Sequence, residues 1–304
     1  MNELRIMLQR EARRLLDAGE VDVVIGYQRT DIPWKMAPVF VFSKDECDKL
    51  DISSFCVQNL AVYLPRIVGR VGIIAKPCDV RTILQMIQEN QVDRERVRIL
   101  SFRCPGMLDP RKLEAKGVSP DRLLEIGSNE HPDALHDWCK ICFHREPPEA
   151  DFVGEPRFLF QKDEYPRPED LTTQADRIQE KPPEERLQFW LDEFSRCIRC
   201  KACMRSCPIY YGGGEALDDR PFTAQANRAA ENFQIHLYFA LDLAGRCTIC
   251  GACESACPVD IPLMGLHIPL YKKTRDAFGF EPGLQRDTYT PYEAAEPLSG
   301  GGDG

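Results

Sequence analysis

The segments CIRCKACMRSCP (197–208) and CTICGACESACP (247–258) carry one stencil, C-x2-C-x2-C-x3-C-P, with first cysteines at 197 and 247. Three thiolates crowded into one loop can bind three irons of one cubane, while the fourth, set off by a longer spacer and a proline, reaches a second cubane. This logic assigns Cys197, Cys200, Cys203 and Cys257 to one [4Fe-4S] cluster, and Cys247, Cys250, Cys253 and Cys207 to another. Zinc also uses C-x2-C pairs. It has no need of a duplicated stencil closed twice by proline. Such clusters move single electrons by changing iron valence, so the chemistry these residues point to is electron transfer.

A second constellation is dispersed. WCKIC (138–142) has the spacing of half a metal site, and its partners must come from elsewhere in the chain. Cys78, in AKPCDV, stands at the junction of an expected strand and helix, and Cys104, in SFRCPGM, just past the next expected strand. In a parallel sheet both positions fall at the carboxyl edge, where such folds build their sites. Cys78, Cys104, Cys139 and Cys142 therefore form a candidate four-thiolate site. Zinc, with His136 or His144 replacing a cysteine, and a set of buried thiols are the alternatives. Cys47 and Cys56 are expected to be small buried hydrophobes. His131 and His136, on a polar loop, are expected to be exposed, and Asp79 to cap the helix that follows it. The five histidines have no catalytic spacing.

The elements that must position these thiols are readable from periodicity. Residues 2–18 place Leu4, Met7, Leu8, Ala12, Leu15 and Leu16 at helical spacing, ended by Gly19. Strand-like runs follow at 21–27, 38–43, 70–76 and 96–102, with a helical segment at 79–90 able to cross between parallel strands. From about 145 to 188 the chain turns Pro- and Glu-rich and reads as an extended linker. Beyond it, EERLQFWLDEFSRC, AQANRAAENF and QIHLYFALDLAG are helical by composition and period. The expected organisation is an α/β N-terminal domain with a largely parallel sheet (1–145), a linker (146–188), an all-α dicluster ferredoxin domain (189–285) and a flexible tail (286–304).

Composition excludes several classes of function. The 304 residues suffice for two domains, and 43% hydrophobic with 29% charged content is ordinary for a globular chain. A net charge of −9 argues against nucleic acid, which would demand a basic face. No run approaches the ~18 apolar residues of a membrane span, and the charged start MNELRIMLQREARRLL lacks a signal-peptide core. The expected location is cytoplasmic. There, fourteen cysteines indicate metal rather than disulfides. No G-x-G-x-x-G opens a helix after a strand, so nicotinamide binding has no textual support; GGGE (212–215) reads as a loop. Arg196, Arg199, Lys201, Arg205 and Arg246 flank the cysteines, either as a solvated basic rim or as charge that favours the reduced cluster and receives an acidic partner.

Compact bacterial ferredoxins join their two motifs by a short strand-bearing segment, but here 208–246 intervene with a helical pattern. HLYFALDLAGRCTICGACESACPVDIPL (236–263) resembles the α-helical dicluster ferredoxins of heterodisulfide reductases and succinate dehydrogenases, over about 186–272. The proline-cysteine at a strand end, the later cysteine and the C-x2-C followed by ADFVG (150–154) resemble the β subunits of F420-reducing hydrogenases, a family that includes F420-linked formate dehydrogenase subunits, over about 20–155. That resemblance implies a third [4Fe-4S] cluster on Cys78, Cys104, Cys139 and Cys142, and raises FAD as a further cofactor. The expected function is an iron–sulfur electron-transfer subunit of an anaerobic oxidoreductase complex. Its partners would be hydrogenase, formate dehydrogenase or flavoprotein (HdrA-like) subunits in a hetero-oligomer. The alternatives are a FAD-bearing subunit that exchanges hydride with F420, and a ferredoxin with a non-redox docking domain.

Overall fold

A computed structural model describes residues 2–119, 127, 130–155, 173–211, 227–284 and 291. The centre of the expected linker, the GGGE loop and nearly all of the expected tail lie outside the described residues.

The first half is built on a five-stranded sheet of order β2-β1-β3-β4-β5. Its strands are β1 (Val23–Arg29), β2 (Met36–Val41), β3 (Val71–Ala75), β4 (Val97–Phe102) and β5 (Phe152–Gly154). β1, β3, β4 and β5 are parallel, and β2 is added antiparallel at one edge. β3 is buried along its whole length, which fits the unbroken apolar run VGIIA of a strand covered on both faces. Helix α1 (Asn2–Asp17) packs across β1, β3, β4 and β5 through Leu4, Leu8, Ala12 and Leu15, the stripe its 3.6-residue period prescribes. Helix α2 (Pro77–Gln88) leaves β3 at once and returns to β4. Cys47 and Cys56 are fully buried in this core, as expected of small hydrophobes.

One strand, the helix Gln174–Gln179 and the start of the helix Pro183–Ser195 arise where the composition indicates linker. β5 lies inside the Pro- and Glu-rich stretch and adds to the sheet through Leu100↔Phe152 and Phe102↔Gly154. Three residues are too few to show alternation, so period counting misses it. Tertiary contacts fix it. Asp151 accepts from Ile99 N at 2.7 Å and pairs with Arg94, and a Cβ on Gly154 would come within 2.6 Å of Leu4 Cδ1. The ADFVG segment is thus an edge strand docked beneath α1.

Every described element from 173 onward is helical: α5 (Gln174–Gln179), α6 (Pro183–Ser195), α7 (Ala202–Arg205), α8 (Ala229–Asp242), α9 (Ala252–Ser255) and α10 (Met264–Phe278). Two shorter helices, α3 (Pro110–Glu114) and α4 (Asp137–Lys140), precede them. α6 packs on α8 through Trp190, Phe194 and Phe233, and α10 on α5 and α8. α5 begins with a Thr173–Asp176 capping box and is tied to both halves: Asp137 accepts from Gln174 N, and Asp176 pairs with Lys272.

Candidate metal centres

The two ferredoxin motifs fold alike. Arg199 and Ile249, two residues after each first cysteine, have φ of 54° and 56°; Lys201 and Gly251, after each second cysteine, have 57° and 72°. These left-handed residues turn successive amides inward, a concavity suited to an anionic group. The Arg199 and Ile249 amides favour the thiolates of Cys197 and Cys247, and Ile261 N donates to Cys257 Sγ at 3.4 Å. The Ala252 amide likewise favours the thiolate of Cys250, and those of Ile209 and Tyr210 that of Cys207. Each loop then enters a four-residue helix, α7 or α9, and these two pack on each other.

That packing crosses the fourth cysteines. Cys257 lies within electrostatic reach of Cys197 and Cys203, and Cys207 within reach of Cys247, Cys250 and Cys253. Burial first, then these neighbouring thiols, pushes Cys203 up to about 12; burial and Cys250 push Cys207 up to about 12. Thiols so buried ionise only against strong positive charge. Convergent buried sulfurs with amide donors aimed at them are therefore a donor set that fits a cationic iron–sulfur group. Among the described residues no three of His, Cys, Asp or Glu close on one point tightly enough for a single ion.

The dispersed constellation also converges. Cys78 is the second residue of α2, and Cys104 follows β4 by two residues; because Ala75 is paired with Ser101, both leave the sheet at its carboxyl edge. Cys139 lies in α4, and Cys142 two residues beyond it. All four line one hollow. Gly106 N donates to Cys104 Sγ at 3.4 Å and Met107 N to Cys139 Sγ at 3.3 Å. Burial, offset in part by the Gly106 amide, pushes Cys104 up to about 11; burial with Cys104 pushes Cys139 up to about 12. This set fits a cluster on the same grounds.

The histidines stand apart from the thiolate set. His144 Nε2 is engaged with Glu281 at 2.7 Å. His136, expected to be exposed, is buried at 6%. Its ring stacks on Trp138 at 4.2 Å and 13°, a tertiary contact that the polar sequence around it does not announce. The basic residues are largely occupied: Arg199 donates to Asn232 at 2.7 Å, Arg196 pairs with Glu193, and Arg246 makes a two-pronged pair with Glu89 at 2.8 and 2.7 Å. They brace the loops more than they form a free rim.

Sequence reasoning missed a buried charge cluster beside Cys78. Lys76 and Asp79, at 1% and 0% exposure, pair at 2.7 Å; Lys76 also donates to Tyr27 Oη at 2.7 Å and to Gln58 O at 2.6 Å. Asp79 accepts from Lys76 N at 3.2 Å at the start of α2, so the carboxylate caps the helix end and also belongs to an ion pair. Asp79 keeps Lys76 charged despite its burial, and that charge acts on Cys78, Cys104 and Cys250.

Helix α2 faces the ferredoxin half along one stripe. Arg81 donates to Pro282 O at 3.1 Å, Thr82 meets Thr248 hydroxyl to hydroxyl at 2.7 Å, and Glu89, just past its end, holds Arg246. Opposite, a Cβ on Gly251 would overlap the Trp138 indole. Gly279 also has positive φ, at 61°, but open space around it. Gly251→Ala is therefore expected to destabilise the protein by about 1–3 kcal/mol more than Gly279→Ala, as overpacking does. Equal urea midpoints for the two variants would mean that Trp138 is not seated on Gly251.

The fold and these cysteine sites define an iron–sulfur protein, and comparison with known proteins agrees. Residues 193–261 match the 4Fe-4S dicluster domain family. The chain is homologous to β subunits of F420-dependent formate dehydrogenases. It is 24% identical to that of formate dehydrogenase 1 from Methanococcus maripaludis over 372 aligned positions, covering 94% of this chain and 91% of the relative. It is 23% identical to the Methanocaldococcus jannaschii subunit, covering 65% and 70%. The similarity thus runs well beyond residue 155, through the ferredoxin half. Among solved structures, a chain of the F420-reducing [NiFe] hydrogenase complex from Methanosarcina barkeri matches at 18% identity and a TM-score of 0.32, over 36% of this chain and 40% of its own length.

Proposed function

We propose that the chain is an iron–sulfur electron-transfer subunit of an oxidoreductase complex, carrying three [4Fe-4S] clusters on the cysteine groups named above. The observation that carries this reading is the gathering of twelve cysteines into three groups of four, all but Cys200 at least partly buried, one group lining a single hollow. The clusters supply reversible one-electron storage when bound. The chain's residues do the rest. The left-handed turns at Arg199, Lys201, Ile249 and Gly251 hold thiolates and amides inward, and Lys76 places a fixed positive charge near Cys78 and Cys250, which favours the more negative, reduced state.

The second half is read as an all-α dicluster ferredoxin joined to the α/β domain, and the complex as cytoplasmic. The homology points to a formate dehydrogenase catalytic subunit as the natural partner, with hydrogenase and HdrA-like flavoprotein subunits as the other candidates. Among the described residues no helix is long and apolar enough to cross a membrane. Anaerobic purification from the native source under mild conditions should bring down redox subunits with this chain. Recovery as a monomer alone would contradict the assignment.

A second reading has one observation in its favour. A cavity of about 550 Å³ lies between the halves, walled by Trp34, Phe55 and Tyr63 with Lys35 and Arg66 among its lining side chains, and the buried His136 Nε2 beside it has no hydrogen-bond partner. An aromatic floor with nearby cations suits a flavin phosphate ester, and FAD there would let the subunit take hydride from F420 and feed the clusters. Bound flavin, and bleaching of the clusters by reduced F420 or NAD(P)H, would favour this form; flavin-free protein inert to both would remove it.

A further inference from the structure

The two ferredoxin motifs are copies of one loop, and only one copy is covered. In the second, Thr248 is buried against Thr82, hydroxyl to hydroxyl at 2.7 Å, and Ile249 and Cys250 line the hollow of the α/β-domain cysteines. Gly251 lies under Trp138, where a Cβ would come within 2.0 Å of the indole. The same four positions in the first copy are Ile198, Arg199, Cys200 and Lys201. Their backbone repeats that of the second, with φ of 54° and 57° at Arg199 and Lys201 against 56° and 72° at Ile249 and Gly251. Yet Ile198 is 59% exposed, and Cys200 alone among the fourteen cysteines is exposed. A face that docks a domain in one copy thus meets solvent in the other. A single exposed isoleucine needs no explanation on an ordinary surface. At the position where the sister loop buries Thr248, it marks a contact point.

The chemistry of the open face differs from that of the covered one. Gly251 admits a flat indole because it has no side chain. Lys201 in its place brings a four-carbon stem and an ammonium, which exclude a ring seated on the backbone and suit a carboxylate. Residues 196–211 hold four basic residues and no acidic one, where the corresponding 246–261 hold one basic and two acidic. Glu193 and Glu231 offset Arg196 and Arg199 from neighbouring helices, but in a chain of net charge −9 this loop still stands out as basic. Resting on the reading that the chain is a subunit of an oxidoreductase complex, we propose that the face of Ile198, Cys200 and Lys201 docks a separate redox subunit, which presents an apolar contact for Ile198 ringed by carboxylates. The second loop then joins the two halves of this chain, and the first joins the chain to its partner. Opposite charges across such a contact speed encounter and fix register, while a like charge placed there costs affinity.

The test uses the tagged full chain, produced in its native source and purified anaerobically, with the redox subunits that accompany the unaltered chain counted per chain by mass spectrometry. Ile198→Asp should recover about tenfold less of them, with iron per chain unchanged. Ile198→Lys, equally polar but of the opposite charge, should lose much less. Phe42→Asp, at a 67% exposed position just past β2, should recover them in full. In the unaltered complex a zero-length carbodiimide, which joins an amine directly to a carboxylate, should link Lys201 to an Asp or Glu of the accompanying subunit. Full recovery with Ile198→Asp, an equal loss with Phe42→Asp, or a Lys201 link to a second copy of this chain would overturn the docking face. Equal losses with Ile198→Asp and Ile198→Lys would overturn the acidic partner. An unaltered chain recovered with no redox subunit would instead show that the underlying reading has failed, and the inference with it.

Discussion

Replacing Cys257 with serine should damage the cluster of the first motif and leave that of its own motif intact. Cys207→Ser should do the converse. The expectation rests on the packing of α7 against α9, which brings Cys257 toward Cys197 and Cys203, and Cys207 toward Cys247, Cys250 and Cys253. The proline after each fourth cysteine, Pro208 or Pro258, sends the chain out of the short helix and away from its own loop. The EPR spectrum of Cys257→Ser should therefore match that of Cys200→Ser, and Cys207→Ser that of Cys250→Ser, each with a loss of up to four irons. Spectra that pair within each motif would contradict the crossing and, with it, the pseudo-two-fold relation of the two loops.

The second large effect concerns the buried ion pair at the head of α2. Asp79→Ala leaves Lys76 charged at 1% exposure, with Tyr27 Oη and Gln58 O still accepting from it. Breaking a buried pair by removing one partner costs about 3–5 kcal/mol, because the survivor is uncompensated, whereas replacing both with apolar residues of similar size is often close to neutral. Anaerobic urea unfolding of the holoprotein should show Asp79→Ala destabilised by that amount, and Lys76→Met/Asp79→Leu recovering most of it. A loss below about 1 kcal/mol, the value typical of a surface pair, would mean that water reaches Lys76. The same pair fixes the start of the helix that carries Cys78, so iron retention at the α/β-domain site should fall with stability in the single variant.

Much of the electron path was legible because its chemistry is written in short-range spacing. The duplicated stencil carries its own loop geometry: the positions that must turn left-handed, 199 and 201, 249 and 251, recur at the same offsets in both copies. The strands holding Cys78 and Cys104 announce themselves as apolar runs, and parallel pairing then puts both cysteines at one edge. What escaped depends on contacts between distant segments. β5 is three residues long and exists because β4 and Leu4 receive it. His136 is buried by Trp138 in spite of the polar loop around it. Lys76, the second residue of AKPCDV, looks like a surface lysine until Tyr27 and Gln58, 49 and 18 positions upstream, close over it. The docking of the two halves through Thr82, Trp138 and Glu89 has no periodic signature, since each contact joins residues more than a hundred positions apart.

The central claim is that the α/β domain belongs to the electron path, and its most direct test is metal content. Iron, zinc and flavin per chain would be measured on anaerobically purified protein and on Cys139→Ser/Cys142→Ser. About twelve irons falling to about eight, at four per cubane, with no zinc in either, is the expected result. About eight irons in both, with a zinc that the double variant loses, would contradict it and make the α/β domain a scaffold beside a two-cluster ferredoxin.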